Sequence, residues 1–120
     1  MARNLLVEKS KAFALQIVRA HRHLQDKGER VLSKQLLRAG TSIGANIAEG
    51  QYAQSKADFL TKYTIALKEA SESMYWIDLL RESDYLSAFG PLQSLELDCQ
   101  ELIRLLAASI KKLKGMTRDE

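Results

Sequence analysis

The sequence predicts an all-α protein, an antiparallel up-down-up-down bundle of four helices. Apolar residues recur at intervals of three and four along most of the 120 residues, whereas the alternation typical of strands is missing. Proline, which interrupts helices, occurs once. With 46% hydrophobic and 28% charged residues, the chain has the composition of a single domain, residues 1–120, with its own core.

The first two helices are defined by their apolar stripes and by the residues that end them. The first is predicted at residues 4–27, with its stripe at Leu6, Phe13, Ile17, Ala20 and Leu24. Gly28 follows, and glycine is the usual residue just beyond a helix C-terminus. The second is predicted at residues 29–53, with its stripe at Leu32, Leu36, Ile43 and Ile47. The polar residues Gln54 and Ser55 end it.

The third helix is predicted at residues 56–82, because Ser55 and Asp58 form a typical N-terminal capping arrangement. Its apolar positions are Phe59, Tyr63, Ala66, Ala70, Met74 or Ser73, Ile77 and Leu80. The fourth is predicted at residues 91–114, with Pro91 in the first turn, where proline is tolerated. Its apolar positions are Leu92, Leu95, Cys99, Leu102, Leu106, Ser109 or Ile110, and Leu113. Short connections between long helices make neighbouring helices antiparallel.

Composition excludes several classes of protein. A single cysteine, Cys99, can form neither an internal disulfide nor a cysteine-based zinc site. Charged residues interrupt the first 18 residues, so these contain no signal-peptide core. No stretch reaches the roughly 20 apolar residues of a membrane span. We therefore expect a cytoplasmic protein that does not enter a membrane.

No motif in the sequence indicates catalysis. His21 and His23 are two residues apart, so on a helix they point to different faces and do not hold one metal ion. Glu69 and Glu72 have no histidine partner for acid–base chemistry. Cys99 lies on an apolar stripe, where cysteine is typically a small buried hydrophobe. We expect no enzymatic activity, cofactor or metal.

The formal net charge is only +3, but the basic excess is N-terminal. Residues 1–40 contain nine Lys or Arg and three Asp or Glu. A positive face on the first two helices would attract polyanions or an acidic partner. The residues predicted to contact nucleic-acid phosphates are Lys9, Lys11, Arg19, Arg22, Arg30, Lys34 and Arg38. The alternative is a solvated face that keeps the protein soluble.

Glycines interrupt the second helix within the segment R-A-G-T-S-I-G-A-N-I-A-E-G, residues 38–50. Glycine inside a helix costs about 1 kcal/mol relative to alanine, so Gly40 and Gly44 require a compensating role. Together with Ala48 they form a ridge of small residues that predicts close packing against a neighbouring helix or another subunit. The alternative is close approach of a nucleic-acid backbone.

A polar stripe accompanies this ridge and predicts contacts between the second and third helices. If the two helices form an antiparallel hairpin, Arg38 approaches Glu69, and Glu49 approaches Asp58 or Lys62. The predicted polar network comprises Arg38, Asn46, Glu49, Lys62 and Glu69. Such ion pairs specify helix register more than they add stability. Arg38 therefore has two predicted roles, in this network and in phosphate binding.

Residues 38–50, together with S-K-A-D-F at 55–59 and I-A-L-K-E-A at 65–70, resemble the four-helix-bundle family of 23S rRNA intervening-sequence proteins. That family includes the accessory variability proteins of diversity-generating retroelements. The resemblance implies a ring-shaped homopentamer around a central channel. In the accessory branch it also implies a basic surface that binds nucleic acid and a reverse transcriptase. The sequence departs from the family pattern at residues 51–54, where an arginine is common and Q-Y-A-Q stands here.

Two functions follow as hypotheses. The first is a non-enzymatic, oligomeric module that binds RNA or DNA through the N-terminal basic residues, as an accessory protein to a reverse transcriptase. The second is a protein-interaction scaffold with no nucleic-acid binding. For the scaffold, Tyr75, Trp76 and Leu79 lie partly off the apolar stripe of the third helix and are candidates for an interface.

Overall fold

The computed structural model describes residues 4–119, with side chains described for residues 5–115. It contains four helices: α1 (Asn4–Asp26), α2 (Leu32–Gly50), α3 (Lys56–Glu82) and α4 (Leu92–Asp119). No strand occurs within residues 4–119. The predicted all-α class with four helices is confirmed.

The helices form an elongated bundle of 52 × 23 × 21 Å, in which each helix packs against two neighbours. Helix α1 packs between α2 and α4, and α3 packs between the same two helices on the opposite side. Along the α1–α4 contact, Lys9 bonds Glu101 and Gln16 bonds Asp98, so residue numbers rise on one helix as they fall on the other. Neighbouring helices are therefore antiparallel.

The core runs along the bundle axis and contains the predicted stripes. Its largest fully buried side chains are Phe13, Ile17, Leu24, Leu36, Ile43, Ile47, Ile77, Leu80, Leu86, Leu95, Leu102 and Leu106. Where the periodicity left two alternatives, Ser73 is buried rather than Met74, and Ile110 rather than Ser109. No described helix carries an apolar stretch long enough to cross a bilayer.

Helix α2 is shorter at both ends than the predicted span of 29–53. The Glu29 carboxylate accepts hydrogen bonds from the backbone N–H groups of Leu32 and Ser33 at 3.1 and 2.6 Å. It thus satisfies donors that a helix N-terminus leaves free, and the helix begins after it. At the other end, the N–H groups of Gln51 and Tyr52 bond carbonyls three residues earlier, in a tight turn that ends the helix at Gly50.

Other helix ends lie beside residue types that commonly cap helices. Gly28 has a φ of +84° and ends α1 one residue before the predicted end. The Ser55 hydroxyl accepts a hydrogen bond from the Asp58 N–H at 3.0 Å, and α3 begins at the next residue. Pro91 lies just before α4, and its carbonyl accepts the Leu95 N–H at 2.9 Å.

Helix α4 continues to Asp119, five residues beyond the predicted end at 114. Gly115 remains within the helix and does not adopt the positive φ of a C-cap. Without that conformation the backbone hydrogen-bonding pattern continues past the glycine. Lys111, Lys112 and Lys114 therefore lie before the final turn of the helix.

Candidate nucleic-acid interface

Two of the seven cations predicted to bind phosphates are paired with carboxylates across helix contacts. Lys9 lies on the side of α1 next to α4, with its Nζ 3.1 Å from Glu101 Oε1. Arg38 lies on the side of α2 next to α3 and pairs with Glu69 and Glu72. The seven residues therefore do not form one continuous face. The charges of Lys9 and Arg38 are already balanced by acids.

Four other cations are exposed on the outer sides of α1 and α2. Within residues 5–115, none of them has a hydrogen bond or an ion pair. We call this set the exposed basic surface, and it comprises Lys11, Arg19, Arg22 and Lys34. Arg30 is also exposed, but its guanidinium donates a hydrogen bond to the Gln25 side-chain oxygen at 2.9 Å.

Helix geometry brings the exposed basic surface together towards one end of the bundle. Arg19 and Arg22 are three residues apart and so lie next to each other on α1. The side chains of Gln25 and Ser33 are hydrogen-bonded at 3.1 Å, which holds the start of α2 beside the end of α1. Lys34 directly follows Ser33 and is exposed at this end of α2. Lys11 extends the surface two turns towards the N-terminus of α1.

Two exposed acids flank this surface. Glu8 precedes Lys11 by three residues, and Asp26 follows Arg22 by four residues on the same helix. Neither acid forms an ion pair with a described residue. The positive potential of these four cations, to which the exposed Lys27 and Arg30 add, is reduced at its two ends by the two acids.

The Arg38 guanidinium instead connects α2 to α3. Its Nη1 lies 3.2 Å from Glu69 Oε1, the partner that antiparallel pairing predicts, and its Nη2 bonds Glu72. Trp76 Nε1 donates a second hydrogen bond to the Glu72 carboxylate at 2.8 Å. The hydrogen bonds from Trp76 and from Arg38 lower the pKa of Glu72, and the bond to Glu72 raises the pKa of Arg38.

A second ion pair joins the same two helices near their connecting loop. Lys62 Nζ lies 2.9 Å from Glu49 Oε1, and this hydrogen bond raises the pKa of Lys62. Asn46, which the sequence predicts in the same network, contacts Ser42 within α2 instead. Its side-chain nitrogen donates hydrogen bonds to the Ser42 backbone carbonyl at 2.9 Å and to the Ser42 hydroxyl at 3.1 Å. The inter-helix network therefore excludes Asn46.

Glu72 and Trp76 also belong to this network, although the sequence pattern was not interpreted to include them. The signal was available, because Glu72 follows Glu69 by one helical turn and so lies on the same side of α3. Trp76 follows Glu72 by another turn. Together with Arg38 they form a row along the α2–α3 contact.

The glycine ridge lies on the side of α2 that contacts α1. A Cβ atom at Gly40 would stand 2.6 Å from Ile17 Cγ1, whereas one at Gly44 would stand 3.4 Å from the Ser10 carbonyl oxygen. Ala48 is exposed, so within the chain the ridge ends at Gly44. Gly50, which was not predicted as a packing residue, allows close contact with α3, because a Cβ there would stand 3.1 Å from Tyr63 Cε1.

Cys99 and the two histidines have structural contacts. Cys99 is fully buried, and its thiol donates to the Ala70 carbonyl at 3.4 Å. Burial, with a smaller contribution from the charge of Asp78, raises the pKa of Cys99 to about 12. The His21 ring is hydrogen-bonded to Gln25, and the His23 ring stacks in a tilted arrangement on Phe89, so the two histidines have different neighbours.

The comparisons with known proteins agree with the fold and the motif. The family model of the 23S rRNA-intervening sequence protein matches residues 3–108. A crystal structure of a protein with unknown function from the S23 ribosomal protein family of Bacteroides thetaiotaomicron is similar, with a TM-score of 0.86 and 46% sequence identity. The alignment covers 92% of this chain and 99% of that chain. No curated protein matches. The resemblance seen in the sequence is thereby confirmed, and the chain belongs to the family of 23S rRNA-intervening sequence proteins.

Proposed function

We propose that this chain is a non-enzymatic, oligomeric protein that binds RNA or DNA phosphates through the exposed basic surface. The observation that carries the proposal is that the four cations of this surface have no acid partner within residues 5–115. Lys9 and Arg38, in contrast, are paired with carboxylates. Solvated, unpaired cations can replace the counterions of a nucleic acid and so gain free energy from counterion release.

The same observation sets what kind of binding is expected. Lysine and arginine on an exposed helix surface reach phosphates, and phosphate contacts position a protein without reading base sequence. Affinity should therefore fall steeply with salt and depend little on sequence. No cofactor is needed for such binding.

The proposal includes the assembly that the family resemblance implies, a homopentameric ring around a central channel. In such a ring the exposed basic surface is repeated on every subunit. A long polyanion that contacts several copies then binds more tightly than one copy alone would allow. The inclusion of retroelement accessory proteins in the family that the sequence resembles further supports a role as an assistant of a reverse transcriptase.

The test is fluorescence anisotropy of labelled RNA and DNA over a salt series, with light scattering on each sample to count subunits. The double variant Arg19→Glu, Arg22→Glu should bind at least about tenfold more weakly than the unmodified protein at low salt. The control variant Lys68→Glu, Arg104→Glu makes the same change of net charge on exposed parts of α3 and α4. Equal losses in both variants, or no binding by a correctly assembled oligomer, would refute the proposal.

A protein-interaction scaffold is the second candidate, favoured by exposed apolar residues just before α2 and on α3. Val31 is 72% exposed and Tyr75 is 59% exposed. Leu79 and Trp76 are partly exposed on the same helix as Tyr75, and aromatic residues are enriched in interfaces. If Tyr75→Ala, Leu79→Ala reduces the mass measured by light scattering and the unmodified protein binds no nucleic acid, the scaffold is supported instead.

A further inference from the structure

A pocket of about 370 Å³ opens beside the exposed basic surface, between α1 and the start of α4. Its size lies near the lower end of the range of ligand pockets, about 300–1,000 Å³. The residues that line it are Ala12, Leu15, Gln16, Arg19, Phe89, Pro91 and Ser94. Arg19 therefore belongs both to the pocket and to the exposed basic surface.

The polar wall of the pocket is held in a fixed orientation. The Gln16 amide nitrogen donates to Asp98 Oδ2 at 2.6 Å, and the Ser94 hydroxyl donates to the Gln16 amide oxygen at 3.4 Å. These bonds define which end of the amide is the donor and which the acceptor. Each end retains capacity for one more hydrogen bond, since an amide has two N–H groups and two lone pairs.

The other walls are apolar. Leu15 is 53% exposed, although it is a large aliphatic residue, and Phe89 forms the inner side of the pocket next to the core. Ala12 and Pro91 add small, rigid surfaces. The pocket thus combines an apolar lining, one oriented donor–acceptor pair and one cation.

We propose that this pocket receives a single unpaired nucleobase while Arg19 contacts an adjacent phosphate, so that the protein prefers single-stranded RNA or DNA over duplexes. The inference rests on the proposed nucleic-acid binding and adds the structural class of the ligand to it. A base has an apolar face for the lining and a hydrogen-bonding edge for the Gln16 amide.

The small extent of the pocket favours a base over a helical peptide. A docked helix needs a groove that accepts side chains at several successive turns. This pocket is lined by only two turns of α1, from Ala12 to Arg19. Bases within a duplex are stacked and paired, so only an unpaired base can enter without disrupting the duplex.

The test compares three labelled probes of equal length: a single strand, its duplex, and a strand in which abasic spacers replace every nucleotide. The intact single strand should bind about tenfold more tightly than the abasic strand, because only the former places bases in the pocket. Both carry the same phosphates, and the unmodified protein is used for both. Equal affinities for the intact and the abasic single strands would overturn the inference.

A pair of variants locates the effect. Ala12→Phe places a ring in the pocket and should lower the affinity for the intact single strand to that for the abasic strand, while duplex affinity stays unchanged. Ala57→Phe makes the same exchange at an exposed position at the start of α3 and should change neither. Unchanged single-strand binding by a folded Ala12→Phe variant would overturn the inference.

The outcomes separate the two proposals. If duplex and single strand bind equally and both lose affinity on charge reversal at Arg19 and Arg22, only the pocket inference fails. If no nucleic acid binds, both proposals fail. A third outcome is that the protein binds no nucleic acid but binds an acidic peptide containing leucine or phenylalanine, and that Ala12→Phe abolishes this peptide binding. That outcome would assign the pocket to a protein partner and would also overturn both proposals.

Discussion

At the residue scale, Gly40 and Gly44 occupy equivalent places in the sequence pattern but make different contacts. Both face α1, as expected for residues four apart on a helix. The space available at each depends on the residue opposite. That residue is the β-branched, fully buried Ile17 at Gly40 and the small Ser10 at Gly44. The sequence predicts the close approach, but how tight it is depends on the pairing of α1 with α2.

The two glycines should therefore respond oppositely to alanine. Gly40→Ala should destabilise the protein, because overpacking against Ile17 costs about 1–3 kcal/mol and the gain in helix propensity is only about 1 kcal/mol. Gly44→Ala meets Ser10 at ordinary contact distance and should be neutral or stabilising by up to about 1 kcal/mol. Urea denaturation of both variants measures the difference. A Gly40→Ala variant as stable as Gly44→Ala would contradict the packing described here.

The apolar stripes were predictable, but the choice between adjacent residues was not. Periodicity alone allowed either Ser73 or Met74 in the core of α3. The structure buries Ser73, whose hydroxyl donates to the Glu69 carbonyl in the preceding turn at 2.8 Å. That bond satisfies the only polar group a serine brings into a core. A hydropathy pattern contains no information about such a bond.

At the scale of elements, helix ends were predictable where they follow common local rules. Gly28 and Ser55 belong to the residue types that usually cap helices, and α1 and α3 end and begin beside them. Glu29 is an uncommon cap, and no helix-breaking residue separates it from Leu32. The sequence therefore predicted a helix through residues 29–31, where the carboxylate of Glu29 instead caps α2.

The α2–α3 contact should make stability depend on pH through Glu72. Its pKa is lowered in the folded protein by Trp76 and Arg38, so its ionised form stabilises the fold above the pKa of the unfolded chain. That contribution is lost as the pH falls through the lowered pKa. Glu72→Gln should therefore reduce stability at neutral pH and weaken the further loss of stability as the pH falls below about 5.

Urea denaturation at several pH values measures this effect. Glu8→Gln is the matched control, since Glu8 is an exposed glutamate without an ion-pair partner among residues 5–115. A Glu72→Gln variant with the same pH dependence as the unmodified protein would show that the Arg38–Glu72–Trp76 row does not couple protonation to folding.

At the scale of the whole molecule, the distribution of charge on the surface depends on contacts that are distant in sequence. The N-terminal basic excess is visible in the sequence, but the pairing of Lys9 with Glu101 requires α1 to lie beside α4. The pairing of Arg38 follows from the α2–α3 hairpin, and Glu69 was predicted as its partner. The cations left unpaired define the surface that we propose contacts phosphates.

The decisive measurement is the salt dependence of duplex DNA binding by the assembled protein. The slope of log K against log salt should be negative and should become shallower by about 0.9 for each phosphate contact removed. Arg22→Ala should make it shallower, whereas Lys68→Ala, an exposed lysine on α3, should leave it unchanged. A slope near zero, or one that both substitutions change equally, would contradict phosphate binding by the exposed basic surface.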